Sequence, residues 1–154
     1  MANEILDKYG AATALTITLA SLGDGSGRQA AQVTDASPSA KKVRVWAKVT
    51  TGTSPTANQT IEFYVSRADD DATELAAGST GTSDAAYSNT KSELEFLDAI
   101  TVTGTSDATY IKSFVIEEPG TDWRLVVFNE SGDALNSTGS NHEIVYRSVI
   151  DEVQ

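Results

Sequence analysis

Cysteine is missing altogether, and histidine occurs once in 154 residues. The first absence removes disulfides, thiolate nucleophiles and thiolate metal sites together. The second leaves no metal site with two imidazoles, and a Ser–His–Asp triad would rest on His142 alone. Between Asn141 and Glu143, His142 reads as a surface residue leading into a strand rather than as a base. Basic residues are scarce as well: 11 Lys+Arg against 22 Asp+Glu give a formal charge of −11. Such a surface repels phosphate backbones, and no Lys/Arg stripe along the chain makes a local exception. Nucleic acid and membrane are therefore not expected partners. No apolar run approaches the roughly 20 residues that span a bilayer. The start, Met1 to Lys8, lacks the basic region and apolar run of a signal peptide. The Asn-x-Ser/Thr sequons at Asn58, Asn129 and Asn136 then read as chance features of Ser/Thr-rich loops.

Helical spacing is the remaining absence: nowhere do apolar residues recur with a 3.6-residue period over three turns. Alternation takes its place. Leu15, Ile17 and Leu19 share one face of Ala14–Ala20, with Thr16 and Thr18 on the other. In Lys42–Val49, Val43, Val45, Ala47 and Val49 oppose Lys42, Arg44, Trp46 and Lys48. Ile61, Phe63 and Val65 point inward from the next strand, and a weaker strand runs from Gln29 to Val33. Further strand patterns cover Phe96–Val102, Thr109–Ile116, Trp123–Phe128 and Glu143–Ile150, each bounded by Gly, Asp, Asn, Ser or Pro. Ala72–Ala77 or Asp84–Ser88 would suit a single helical turn, and Gly78 and Gly81 break anything longer.

About eight strands with regular turn signals predict an all-β, antiparallel two-sheet sandwich, jelly-roll-like, with an immunoglobulin-like Greek key as the rival. The chain divides into an N-terminal arm, residues 1–12, and a single sandwich domain, residues 13–154. The arm carries Ile5, Leu6 and Tyr9, which pack on their own domain or on a neighbour. Two heptads match closely, Gly81-Thr-Ser-Asp-Ala-Ala-Tyr87 and Gly104-Thr-Ser-Asp-Ala-Thr-Tyr110. Their flanks differ, so the match reads as shared turn chemistry rather than as a repeat.

Catalytic patterns fail for separate reasons. Gly81-Thr-Ser-Asp-Ala85 lacks the last glycine of a nucleophile elbow. Gly23-Asp-Gly-Ser-Gly-Arg28 lacks the Lys-Ser/Thr and the helix that a phosphate cradle needs. Glu62, Glu95, Glu117 and Glu118 lie on or beside strands, but in so acidic a chain neighbouring carboxylates are expected by chance. Asp69-Asp70-Asp71 lacks the spacing of a calcium loop and reads as solvated. The expectation is a protein that is not an enzyme and has no cofactor and no metal. Trp46 and Tyr64, on the polar faces of strands taken as adjacent, would form one aromatic patch, either a subunit interface, a sugar platform or a satellite core.

Several phrases add a resemblance. Ile5-Leu6-x-Lys8-Tyr9-Gly10-x-Ala12 through Leu22 is similar to the start of small structural virion proteins of tailed bacteriophages. Gly27-Arg28-Gln29, Thr51–Asn58 and Asn129-x-Ser131-Gly132-x-Ala134-Leu135-Asn136 resemble them too. Within that group the chain most resembles a head decoration (cement) protein. The resemblance implies binding to the outer surface of the major capsid protein lattice and stabilisation of the head. It further implies a homo-oligomer, a trimer before a dimer, made in the host bacterial cytoplasm. Ile5, Leu6, Tyr9, Trp46 and Tyr64 are the expected partner-binding residues. A tail or fibre structural protein and a carbohydrate-binding receptor-recognition module are the alternatives.

Overall fold

A computed structural model describes residues 5–34, 40–67 and 81–153. Asp69–Asp71 and Ala72–Ala77 lie outside these described residues. Eleven strands occur among them: β1 (Ile5–Tyr9), β2 (Thr13–Ala14), β3 (Ser26–Gln29), β4 (Val33–Thr34), β5 (Ala40–Thr50), β6 (Thr60–Arg67), β7 (Ala85–Tyr87), β8 (Glu95–Thr101), β9 (Thr109–Glu117), β10 (Asp122–Glu130) and β11 (Glu143–Val153). Helix among the described residues is limited to two 3₁₀ turns, Lys91–Glu93 and Gly139–Asn141.

Every pairing is antiparallel. Sheet I runs β2-β11-β5-β9, with β1 beside β2 on the same edge of β11. Sheet II runs β3-β10-β6-β8, with β4 also on β10 and β7 outside β3. With β4 and β7 set aside, the chain changes sheet at every step from β2 to β11 except β6 to β8, which is the jelly-roll order. Eight strands carry that order, as the alternation predicts; β1, β4 and β7 are additions at its edges.

The core follows the period of two. Val43, Val45, Ala47 and Val49 of β5 are fully buried, and Ile61, Phe63 and Val65 of β6 meet them from the other sheet. Two ring pairs bridge the sheets, Phe63–Phe114 at 5.0 Å and Trp123–Tyr146 at 5.3 Å. Such contacts contribute about 0.5–1.5 kcal/mol each beyond the area they bury. One open side is tied by Lys112 of β9, which pairs with Asp98 of β8 at 3.1 Å. Arg67 of β6 reaches across to the Glu117 carbonyl of β9 at 2.9 Å and also binds Glu95.

Two expectations need correction, and the alternatives left open for the arm are resolved. Leu15–Leu19 is extended and buries Leu15 and Leu19, yet it is not a strand. Its backbone is divided between sheets: Leu15 N–H donates to Ile144 of sheet I, and Thr16 C=O accepts from Ala31 of sheet II. The segment is a corner, held by Asp84, which accepts from Thr18 Oγ1 and Arg28 Nε at 2.5 Å each. Asp84–Ser88 is no helical turn, because Ala85–Tyr87 pairs with β3. Residues 5–9 are hydrogen-bonded along β11, Ile5 opposite Val153 and Leu6 opposite Glu152, so this part of the expected arm packs on its own domain. The two matching heptads do act alike: Gly81 (φ 63°) and Gly104 (φ 79°) each bend the chain shortly before a strand.

Gly27 shows how tightly one outer face is closed. A Cβ there would lie 2.8 Å from the Phe128 ring and 3.1 Å from the Tyr87 carbonyl. Gly27→Ala should therefore destabilise the fold by about 1–3 kcal/mol through overpacking. The measurement is the denaturant midpoint, and Phe128→Leu in the same chain should recover part of the loss. An unchanged midpoint for Gly27→Ala would contradict the packing.

Candidate functional site

The two sheets leave two outer faces, and the sequence treats them differently. On sheet II, Glu62 and Tyr64 of β6 and Val126, Phe128 and Glu130 of β10 point away from the core. Tyr64, Tyr87, Val126 and Phe128 nevertheless form a second buried cluster, against which Leu94 packs. Edge-to-face rings build it: Tyr64–Phe128 at 5.6 Å, Tyr87–Phe128 at 5.7 Å and Tyr64–Phe96 at 5.4 Å. The 3₁₀ turn lays Lys91 over it, with Nζ 5.0 Å from the Phe128 ring centre. The same ammonium bonds Glu62 at 2.7 Å and Glu130 at 2.6 Å, and Tyr64 OH donates to Glu62 at 2.9 Å. Further along this face Arg124 is fully buried, with Nη2 donating to the Gly81 carbonyl, and burial pushes its guanidinium pKa down.

Sheet I keeps its outer face open. Lys42, Arg44, Trp46 and Lys48 of β5 stand beside Val145 and Arg147 of β11 and Ile111 and Val115 of β9. Tyr9, Ile111 and Val115 are 46%, 74% and 39% exposed, the first at one edge of the sheet and the other two at the opposite edge. Four cations (Lys42, Arg44, Lys48, Arg147) meet two carboxylates (Glu117, Glu143) on the outward positions of these three strands. The expectation of no basic stripe needs correction: Lys42, Arg44 and Lys48 already share one face of β5, and pairing with β11 adds Arg147.

A bulge shapes this face. Tyr9 pairs with Val149 and Thr13 with Tyr146, so three residues (Gly10–Ala12) oppose two (Arg147 and Ser148). The extra residue bends the edge away from β11. Beside it lies a depression of about 480 Å³ lined by Tyr9, Ala12, Arg44, Trp46, Val145 and Arg147. Arg44 and Arg147 are directly opposite in register, and their guanidinium carbons stand 5.6 and 5.8 Å from the Trp46 ring centre.

The expected binding residues therefore separate. Trp46 and Tyr64 do not share a patch, because β5 and β6 belong to different sheets and these side chains leave opposite faces. Tyr64 closes a satellite core, whereas Trp46 stands half-buried on the open face beside Tyr9. Ile5 and Leu6 continue β1 along the same edge. Sequence reasoning missed Arg147, although the alternation of β11 already put it on one face with Val145. Its partner across the sheet was the unreadable part.

Other candidates are engaged structurally. His142 is half-buried: Nδ1 accepts from the Thr50 N–H at 3.4 Å, so Nε2 donates to the Asn136 carbonyl at 2.8 Å. Burial lowers its pKa and favours that neutral form. Glu62 and Glu95 are bound by Lys91 and Arg67. Among the described residues no three His, Asp or Glu side chains are grouped to hold a metal ion. Compared with known proteins, the sequence matches no family model and no curated protein.

The Lys91 cluster sets a pH dependence. Burial alone would push the Glu62 carboxyl up, but hydrogen bonds from Lys91, Tyr64 and Thr60 outweigh it and hold its pKa below the usual 4.5. Burial and the Glu62 charge push Tyr64 up to about 12. A lowered carboxylate contributes stability that is present above pH 4.5 and lost as pH falls through the folded value. A raised phenol contributes stability that is complete below pH 10 and lost as pH climbs towards about 12. Burial and the Glu93 charge raise the Tyr87 phenol as well, so tyrosine absorbance should show a late phase that Tyr64→Phe reduces, and Lys91→Met should weaken the acid-side dependence measured by chemical unfolding. A Tyr64→Phe titration curve identical in shape to the wild type would refute the assignment.

Proposed function

We propose that the protein is a non-catalytic structural protein of a tailed-phage particle, a head decoration protein that seats the outer face of sheet I on the major capsid lattice. The observation that carries this reading is the contrast between the two faces. Sheet II covers Tyr64, Tyr87 and Phe128 with its own Lys91 turn and leaves Phe96 exposed at its edge, while sheet I leaves Tyr9, Ile111 and Val115 exposed and Trp46 half-buried beside an open depression. Exposed apolar residues on the edge strands, with Trp46 among arginines and lysines between them, give this face the mixed aromatic and arginine character of a protein–protein interface. Fold alone does not specify function, and jelly rolls serve capsid and sugar-binding proteins alike. The resemblance of the opening and loop phrases to phage virion proteins supplies the direction. In this reading the chain is made in the host cytoplasm, acts at the outer capsid surface as a homo-oligomer, and gains from many weak contacts held at once.

A sugar platform is the reading that the face supports less. Stacking needs a bare ring, and the Trp46 ring already carries the Arg44 and Arg147 guanidiniums. A tail or fibre location would be separated from the head by the position of the protein in a virion reconstruction. Undecorated heads mixed with purified protein give the direct test. Ile111→Glu and Val115→Glu, both on exposed positions, should lower head occupancy at least about tenfold, the scale of a truncated interface anchor. Phe96→Ser, 55% exposed at the sheet II edge, should leave occupancy unchanged. Full occupancy by the two sheet I variants would overturn the docking face.

A further inference from the structure

The two arginines in the depression face each other without an acid between them. Twenty-two Asp and Glu are available to eleven Lys and Arg, and four cations have a carboxylate partner among the described residues. Arg28 pairs with Asp84, Arg67 with Glu95, Lys91 with Glu62 and Glu130, and Lys112 with Asp98. Among the described residues Arg44 and Arg147 have the Trp46 ring and no carboxylate, and the Arg44 Nε is buried without an acceptor. Like charges directly opposite on a sheet repel, so the register places them together at a cost to stability.

We propose that Arg44 and Arg147 form a carboxylate-binding fork, and that its ligand is an Asp or Glu side chain of the protein on which this face docks. The source of the carboxylate rests on the docking reading; the fork rests on its own geometry. Guanidinium planes match a carboxylate in bidentate fashion, and stacking on one ring restricts their rotation before the ligand arrives. Tyr9, Ala12 and Val145 line the rest of the depression and suit the aliphatic stem that carries an acid group. About 480 Å³ also admits the residues flanking that acid. A phosphate backbone is disfavoured by the net −11 of the chain and by Glu117 and Glu143 on the same face. An acidic sugar loses its stacking surface to the guanidiniums.

The test uses the full chain and a hexaglutamate peptide as the probe. Trp123 is fully buried, so a ligand-dependent change in tryptophan fluorescence reports Trp46. Hexaglutamate should give a saturable change that weakens as salt rises. Arg147→Gln, at an exposed position, should weaken binding at least about tenfold, and Arg44→Gln should do the same with an unchanged circular dichroism spectrum. Lys48→Gln removes an equal charge from the same face outside the depression, and should weaken binding less than about threefold. Three outcomes overturn the fork: no saturable change, an equal loss for Lys48→Gln and Arg147→Gln, or tighter binding of inorganic phosphate or trigalacturonate than of hexaglutamate. Head binding separates this from the docking reading. Full occupancy by an Arg44→Gln/Arg147→Gln double variant overturns the fork and leaves the docking face intact. Saturable hexaglutamate binding by a protein that fails to bind heads overturns the docking role and supports the fork.

Discussion

Strand β10 is buried along both faces, from Asp122 to Asn129, and the rest of the molecule is arranged around that constraint. A strand at the centre of a two-layer sandwich needs cover on only one side. Here Trp123, Leu125 and Val127 meet sheet I, while Arg124, Val126 and Phe128 must be covered from outside. That outer cover comes in part from β7, the 3₁₀ turn and Lys91. The consequence is asymmetry: the chain itself covers the β10 part of one outer face and leaves the other face open. Gly27, with no room for a Cβ against Phe128, belongs to the same closure.

The Lys91 cluster is also the clearest example of how an acidic chain uses its few cations. One ammonium neutralises two carboxylates and covers an aromatic ring. A half-buried lysine with two acid partners and a ring escapes most of the screening that weakens surface pairs. Arg28 and Asp84 do comparable work at the corner, where Thr18 completes the carboxylate's bonding and fixes the crossing between sheets. Most of the described cations thus have internal duties. The exceptions gather on sheet I.

The sheet architecture was legible because alternation directly encodes the inward face of each strand. Val43 to Val49 and Ile61 to Val65 were placed on the buried side by period alone. Hydrogen-bond partnership was not legible, since it depends on residues far away in the chain. Leu15 to Leu19 carries a perfect strand pattern, yet the corner divides its bonds between two sheets. Trp46 and Tyr64 fail as a patch for the same reason: both face outward, but sequence order does not say from which sheet. The near-continuous apolar run Trp123 to Phe128 did contain a usable signal. Such a run marks a strand covered on both faces, and it implied that sheet II would close its outer side.

The arginine pair shows why composition underdetermines a surface. A net charge of −11 describes the whole chain and sets its long-range field, which disfavours phosphate backbones. At contact distance the field is local, and register decides it. Pairing Arg147 with Arg44 brings together two charges that lie about a hundred residues apart in sequence. The bulge at Gly10–Ala12 then opens room beside them, and Trp46 holds both guanidiniums. An internal carboxylate would have relieved the repulsion, and the chain has acids in excess. Its absence among the described residues leaves the pair without a compensating charge, the gap that the proposed carboxylate of another molecule fills.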